Sequence, residues 1–170
     1  KFAHPVASTF MSTRKVATTL LMRLLSDAIT PPSSYLEYVH SEARNRFEVE
    51  HIWANKPDRH LDEFTHATDF DDVRNRLGGL LLLPTRFNAS YGAHEYETKR
   101  QHYVTHNLLA RSLHPQAYDH NPGVRQFVNR SGLQFRPHQE FRRADLEERQ
   151  VFYREIAKLA WDPKRLETVE

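Results

Sequence analysis

Apolar residues recur at helical spacing near the start of the chain. Between residues 14 and 28 they lie three and four positions apart, which predicts an amphipathic helix. Pro31-Pro32 ends this helix, and Ser33-Ser34 are capping residues for a second helix predicted over 35–46. The chain is therefore predicted to open with two helices.

The apolar pattern changes between residues 47 and 83 and predicts two short strands. The first covers 47–53, where apolar and polar positions alternate, and the second is the leucine run 80–83, which Gly and Pro bound. Residues 54–68 are predicted to form a loop with one helical turn, and residues 70–77 a short helix that ends at Gly78-Gly79.

Helical patterns return after the second strand. They predict a turn or short helix over 86–90 and a longer helix over 94–110, and Pro115 and Pro122-Gly123 break the chain beyond it. Asp145 and Glu148 resemble a capping box that opens a last helix. The apolar stripe of that helix is Phe152, Tyr153, Ile156, Ala157 and Ala160. The predicted fold class is mostly α with a small two-stranded antiparallel hairpin.

Composition limits the chemistry of this 170-residue chain. It has no cysteine, which excludes disulfides, thiolate zinc sites, iron–sulfur clusters and a cysteine nucleophile. Its longest apolar run is far shorter than the roughly 20 residues that a membrane helix needs. Eleven histidines are present, so any bound metal would take imidazole, carboxylate or amide ligands.

The net charge of +2 conceals two opposed segments. Residues 48–72 carry eight acidic and two basic side chains, whereas residues 73–143 carry eleven basic and four acidic ones. An acidic segment beside a basic one suits a metal site that acts on a polyanion. Chance variation along solvated helical faces would give the same pattern.

Three residues in the strand region form the candidate catalytic site. At the end of the first strand, Glu50 can offer a carboxylate oxygen to a divalent ion, and a neutral His51 can take a proton from an attacking water. Asn88, on the short helix after the second strand, can supply a second oxygen ligand. Two protein oxygens with waters and phosphate oxygens suit Mg²⁺, with Mn²⁺ as the alternative.

The order of these residues resembles a known nuclease motif. The chain reads EHI at 50–52, LGGLLLL at 77–83, Asn88, and KRQHY at 99–103. This order resembles the HNH, or ββα-metal (His-Me finger), endonucleases. It resembles most closely the C-terminal HNH domains of GmrSD-type modification-dependent restriction proteins, and a nuclease of the phosphorothioate-linked Ssp defence systems is similar. The resemblance covers residues 48–103.

The resemblance implies one HNH nuclease domain over 1–170. It would comprise N-terminal helices (1–47), a ββα-metal core with the following helix (48–103) and a C-terminal helical part (104–170). The implied activity is metal-dependent nicking of DNA by the effector domain of an antiphage restriction protein in the bacterial cytoplasm. A sensing or NTPase domain would precede it in a longer protein, no membrane would be involved, and the oligomeric state stays open.

Basic side chains around the motif are the candidate DNA contacts. The resemblance implies that Lys99 contacts a phosphate, and the other candidates lie beside it or flank the strands. These are Arg100, Arg86, Arg74 and Arg76.

Gly79 departs from the family pattern, which has Asn at this position to hold the loop and orient the base. Asn75 or a backbone carbonyl would have to substitute for it. This departure keeps a second hypothesis open, a catalytically degenerate HNH-fold module that only binds DNA. A purely structural helical interaction domain is the third.

The other histidines give weaker signals. His102 and His106 have the spacing of a zincin helix, but Tyr103 stands where the catalytic Glu of a zincin would be, so we reject a protease. His60 and His94 are close enough in sequence to join the metal site, although surface positions explain them better.

Overall fold

The two predicted strands pair with each other in the computed structural model, which describes residues 47–66, 68–119 and 122–160. Strand β1 spans Phe47–His51, and strand β2 spans Leu80–Pro84. They are antiparallel, with His51 opposite Leu80. The helices predicted over 14–28 and 35–46 lie outside the described residues.

Helices make up most of the rest of the described chain, which confirms the predicted fold class. The helices are α1 (Thr68–Arg74), α2 (Thr85–Tyr91), α3 (Tyr96–Tyr103), α4 (Leu108–Arg111), α5 (Pro122–Ser131) and α6 (Arg143–Ala160). Short 3₁₀ helices span Pro57–Glu63, Leu77–Gly79 and Pro115–Ala117. Along the chain, β1, β2 and α2 thus follow one another in strand–strand–helix order, and α2 packs against both strands.

The predicted helix over 94–110 is wrong, because the chain forms two helices there. Asn107 begins the second one: its side chain accepts a hydrogen bond from the Ala110 backbone N–H and donates one to the Leu82 carbonyl. Because the Asn107 side chain caps the second helix and also binds β2, the chain must turn at Asn107. The break predicted at Pro122-Gly123 is also wrong, because Pro122 starts α5, where the missing N–H of proline has no cost.

The N-terminus of α6 lies three residues earlier than the capping-box pattern indicates. The helix starts at Arg143, and Asp145 in its first turn accepts a hydrogen bond from the backbone N–H of Arg142. Asp145 is therefore the acidic side of a box and not its first residue. In the predicted apolar stripe, the side chains that the structure describes are buried or half-buried. These are Phe152, Tyr153, Ile156 and Ala157.

The core lies between β2, α4 and α6. All four leucines of β2 are buried. Tyr103 of α3, Leu109 of α4 and Leu146 of α6 are buried as well. The rings of Trp53, His60 and Phe70 contact one another, and the Trp53 indole N–H donates to the Phe141 carbonyl. Within the described ranges, no helix is long and apolar enough to cross a membrane.

Helix α6 approaches the start of β2 so closely that position 78 must be glycine. A Cβ atom at Gly78 would lie 2.2 Å from the Leu146 carbonyl oxygen and 2.6 Å from the Gln150 backbone nitrogen. Both contacts are with main chain, which cannot move aside as a side chain can. The buried Arg149 completes the junction, because its guanidinium donates to the carbonyls of Gly78 and Leu109.

Gly78→Ala is expected to destabilise the fold by about 2 kcal/mol or more, because the added methyl group forces α6 away from the strand pair. Urea unfolding of the purified chain measures the change. Gly92→Ala is the matched control, since its Cβ meets only the Asn88 carbonyl oxygen at 3.4 Å. Equal stability of the two variants would contradict the close approach.

His138 joins α3 to α6 through buried polar contacts. Its Nδ1 is 2.9 Å from an Asp145 carboxylate oxygen, and its carbonyl accepts hydrogen bonds from Tyr96 and Arg100. Burial lowers the pKa of His138 below the ordinary value of 6.5, against the opposing effect of Asp145. Burial also lowers the pKa values of His60 and His106.

Stability is therefore expected to fall as the pH drops below 6.5, the ordinary histidine value. Below that pH the unfolded chain binds protons that these buried rings resist, so protonation favours the unfolded state. Urea midpoints measured from about pH 8 to about pH 5.5 check the sign. A midpoint that rises or stays constant over the acidic half of this range would contradict it.

Candidate functional site

His51 is the last residue of β1, at the edge where the strand pair ends. Its side chain is half-buried, and the next residue is held beside the start of β2, because the Ile52 N–H donates over 2.9 Å to the carbonyl of Gly79, which directly precedes that strand. The backbone that carries the imidazole is therefore held on the side of β2. A histidine ring at the end of a strand is more accessible to solvent than one in the middle of a strand.

The imidazole is also held directly, by the side chain of Asn75. The distance from His51 Nε2 to Asn75 Oδ1 is 2.9 Å. An amide oxygen only accepts hydrogen bonds, so Nε2 must carry the proton that is shared. In the neutral ring Nδ1 is then the nitrogen with the lone pair, and it is the basic atom of the side chain.

Helix α2 brings Asn88 to the same strand, β1. Its Nδ2 donates to the Val49 carbonyl over 3.1 Å, two residues before His51. Because a strand rises about 3.3 Å per residue, this anchor is roughly 7 Å along β1 from the histidine. Asn88 is partly exposed, and with Nδ2 on the strand its Oδ1 is the oxygen available for other contacts.

Glu50 is on the buried face of β1 and only 2% exposed. Its Oε1 accepts hydrogen bonds from Lys99 Nζ over 2.7 Å and from the Tyr103 hydroxyl over 3.1 Å. Lys99 Nζ also donates to the His51 carbonyl over 2.8 Å. The carboxylate is therefore part of an interior network that joins β1 to α3.

The electrostatics of this network follow from its burial. Burial lowers the pKa of Lys99, and the neighbouring charge and hydrogen bond of Glu50 act against that shift. Burial raises the pKa of Tyr103 well above 10, and Glu50 raises it further. The phenol therefore stays protonated and acts as a donor to the carboxylate.

Of the two predicted metal ligands, the described arrangement favours Asn88. A partly exposed amide oxygen on the strand edge fits Mg²⁺, which binds few protein ligands and keeps several waters. Glu50 fits such an ion poorly here, because its buried carboxylate already neutralises Lys99. Among residues 47–66, 68–119 and 122–160, no group of three or more His, Asp or Glu side chains lies close enough together to hold a metal ion.

The predicted DNA contacts fall into two groups. Lys99 is fully buried and Arg100 is 7% exposed, with the Arg100 guanidinium donating to the His138 carbonyl. Arg76 and Arg86 are exposed, and Arg74 is half-buried with its Nε on the Trp53 carbonyl. Only the second group lies where a phosphate can reach it without rearrangement.

The other candidate histidines make ring contacts away from His51. His60 stacks on Trp53 with centroids 4.1 Å apart, His102 stacks on Tyr91 at 3.9 Å, and His106 meets Phe87 edge-on at 4.5 Å. His94 is exposed, and its nearest aromatic contact is Tyr91 at 6.0 Å. The structure joins Asn75 to His51 and Asn88 to Val49 on the same strand, whereas the ring contacts of these four histidines are with other residues.

Tyr103 is the residue of this network to which the sequence analysis assigned no role. The signal was available, because Lys99 and Tyr103 are four positions apart on a predicted helix and therefore share one face. A tyrosine and a lysine on one face, beside a buried strand, are suitable partners for a strand carboxylate.

A model of one protein family matches most of the chain. It is described as the C-terminal domain of GmrSD restriction endonucleases, and the match covers residues 7–156. Comparison with curated proteins and with solved structures gives no match. The family match extends well beyond residues 48–103 on both sides.

Lys99→Ala is expected to destabilise the fold by roughly 3–5 kcal/mol, because it leaves the Glu50 charge buried without a partner. The double variant Glu50→Leu with Lys99→Met should regain most of this loss, since no charge is then buried. Urea unfolding measures both. Lys56→Ala, an exposed lysine, is the control. A Lys99→Ala variant as stable as that control would contradict the network.

Proposed function

The chain belongs to the family of GmrSD restriction endonuclease C-terminal domains, and from this membership we propose that it is an HNH-type endonuclease domain that nicks DNA. The observation that carries the proposal is the anchoring of Asn88 on the Val49 carbonyl, two residues from His51. A base at the end of β1 and an amide oxygen anchored two residues away on the same strand are thereby held in fixed positions, and both kinds of group serve phosphodiester hydrolysis.

The proposed reaction begins with His51 as general base. Its Nδ1 takes a proton from a water molecule, and the water oxygen attacks the phosphorus atom. The bond from phosphorus to the 3′ oxygen breaks, and that oxygen leaves as a hydroxyl with a proton from solvent. The 5′ phosphate stays on the other fragment. One such site cuts one strand, so nicking is the expected product.

We propose that this reaction depends on a divalent ion, Mg²⁺ first and Mn²⁺ as the alternative. When bound, such an ion neutralises charge on the phosphate and on the departing oxygen. Asn88 is the residue proposed to hold it. Glu50 would have to exchange its contact with Lys99 to contribute.

The proposed substrate contact is electrostatic and reads little sequence. Arg74, Arg76 and Arg86 flank the strand pair and are the candidates for phosphate contacts. Contacts to phosphates position a duplex without reading its bases, and their strength falls steeply with salt. We propose Lys99 and Arg100 as interior residues that support the site.

The biological setting is a further part of the proposal. We propose that the domain is the effector of an antiphage restriction protein in the bacterial cytoplasm. Sensing of a DNA modification such as phosphorothioate, and any NTPase activity, would belong to another domain of the same protein. The nuclease site proposed above acts on DNA phosphates and does not itself read the modification.

A catalytically degenerate DNA-binding module is the second candidate, and one observation favours it. Glu50, the acid that the motif offers for a metal, is buried against Lys99 and Tyr103. If that network never opens and Asn88 alone is insufficient, the domain binds DNA without turnover. Binding that is sensitive to salt, with no cleavage under any divalent ion, is the result expected of this candidate.

Relaxation of supercoiled plasmid tests the nuclease proposal. With Mg²⁺ or Mn²⁺ the chain should produce nicked circles, and excess chelator should stop the reaction. His51→Ala is expected to lower the rate by about 100-fold or more, as loss of a general base does. Asn88→Ala should lower it as well.

Matched substitutions outside the site control for damage to the fold. His66→Ala removes an exposed histidine, and Asn129→Ala removes an exposed asparagine. Both should nick at the rate of the unaltered chain. If His51→Ala and Asn88→Ala also nick at that rate, the nuclease assignment is wrong.

A further inference from the structure

The strand end that carries His51 is joined by three hydrogen bonds to the last residue of α1 and to the segment that follows it. Arg74 Nε donates to the Trp53 carbonyl over 3.1 Å, and the Ile52 N–H donates to the Gly79 carbonyl over 2.9 Å. The third joins side chains, from the His51 ring to Asn75 over 2.9 Å. Of these three bonds, the third is the one made to the imidazole.

The backbone that carries Asn75 is itself fixed. The Asn75 N–H donates to the Asp71 carbonyl over 3.1 Å, which continues the last turn of α1. The next N–H, of Arg76, donates to the Val73 carbonyl over 3.0 Å. An asparagine side chain has only two rotatable bonds, so a fixed backbone delivers its amide oxygen to the ring with little freedom.

The neighbouring loop position cannot supply this oxygen. Gly79 has no side chain, and a Cβ there would lie 2.9 Å from a Leu146 methyl carbon and 3.1 Å from the Arg74 carbonyl oxygen. Leu146 from α6 thus fills the space beside Gly79. The packing of α6 leaves Asn75 as the side chain on this segment that reaches the ring.

We infer that Asn75 is a positioning residue for the reaction proposed above, holding the Nε2–H of His51 so that Nδ1 faces the attacking water. This inference rests on the proposed function, because it assigns Asn75 a role through His51. In the proposed reaction, Asn75 itself contacts neither the attacking water nor the scissile phosphate. Its contribution is to keep the ring in one orientation between turnovers.

Two substitutions at position 75 separate positioning from folding. Asn75→Ala removes the acceptor, whereas Asn75→Asp keeps an acceptor oxygen at nearly the same place. With plasmid as substrate, Asn75→Ala should lower kcat by about 10- to 100-fold, the usual cost of removing an orienting partner, and leave KM unchanged. Asn75→Asp should restore most of kcat. Asp72→Ala, an exposed neighbour on α1, is the control.

A spectroscopic measurement gives a readout without turnover. In the chain labelled with ¹⁵N at histidine, the Nε2-bound proton of His51 should give a slowly exchanging signal. His51→Ala identifies that signal, which Asn75→Ala should lose and Asn75→Asp should keep. Urea unfolding of the variants shows whether the fold is intact.

The outcomes distinguish this inference from the nuclease proposal. If His51→Ala abolishes nicking but Asn75→Ala keeps both kcat and the Nε2 proton signal, the positioning role is overturned and the nuclease stands. If His51→Ala nicks normally, the nuclease proposal itself fails, whatever the spectrum shows. A loss of kcat that Asn75→Asp does not restore would also overturn positioning through an acceptor oxygen.

Discussion

The buried ion pair between Glu50 and Lys99 is the interaction on which the strand end depends. A carboxylate that is 2% exposed and an ammonium that is 0% exposed have lost nearly all their hydration. Such a pair is stable only if further hydrogen bonds satisfy both groups. Tyr103 supplies one to Glu50, and the His51 carbonyl accepts one from Lys99. Four groups from β1 and α3 thereby require one another.

This network gives the candidate site its rigidity. The ammonium that neutralises Glu50 also holds the main chain of His51, while Asn75 holds the imidazole and Asn88 is fixed to Val49. Each contact comes from a different part of the fold: α3, the segment after α1, and α2. A catalytic side chain keeps its position only if the residues that hold it are themselves fixed. Here each of those residues is fixed by a main-chain hydrogen bond or by a buried charge.

The close packing of α6 determines which residues can serve the site. The helix touches the main chain at Gly78 and fills the space beside Gly79 with Leu146, so no side chain can extend from the loop at that point. The amide that contacts His51 is supplied instead from Asn75. A helix about 70 residues away in sequence thus decides how the proposed base is held.

Local sequence pattern was sufficient for the strands, the short helix after them and the order of His51 and Asn88. Four consecutive leucines bounded by Gly and Pro indicate a strand that is buried on both faces. The alternation of apolar and polar residues around His51 indicates the strand that pairs with it. The pattern failed at 94–110, because the break is caused by Asn107 binding Leu82 on a distant strand. No local periodicity records such a contact.

The sequence alone thus determined the strand pair, the short helix after it and the residue types near the strand end. Only the tertiary structure decided that Glu50 and Lys99 neutralise each other inside the protein, and that Asn75 holds the His51 ring. The physical reason is that burial assigns these roles. A carboxylate or an ammonium can bind a metal or a phosphate when hydrated, but it must pair with an opposite charge when packing removes its water.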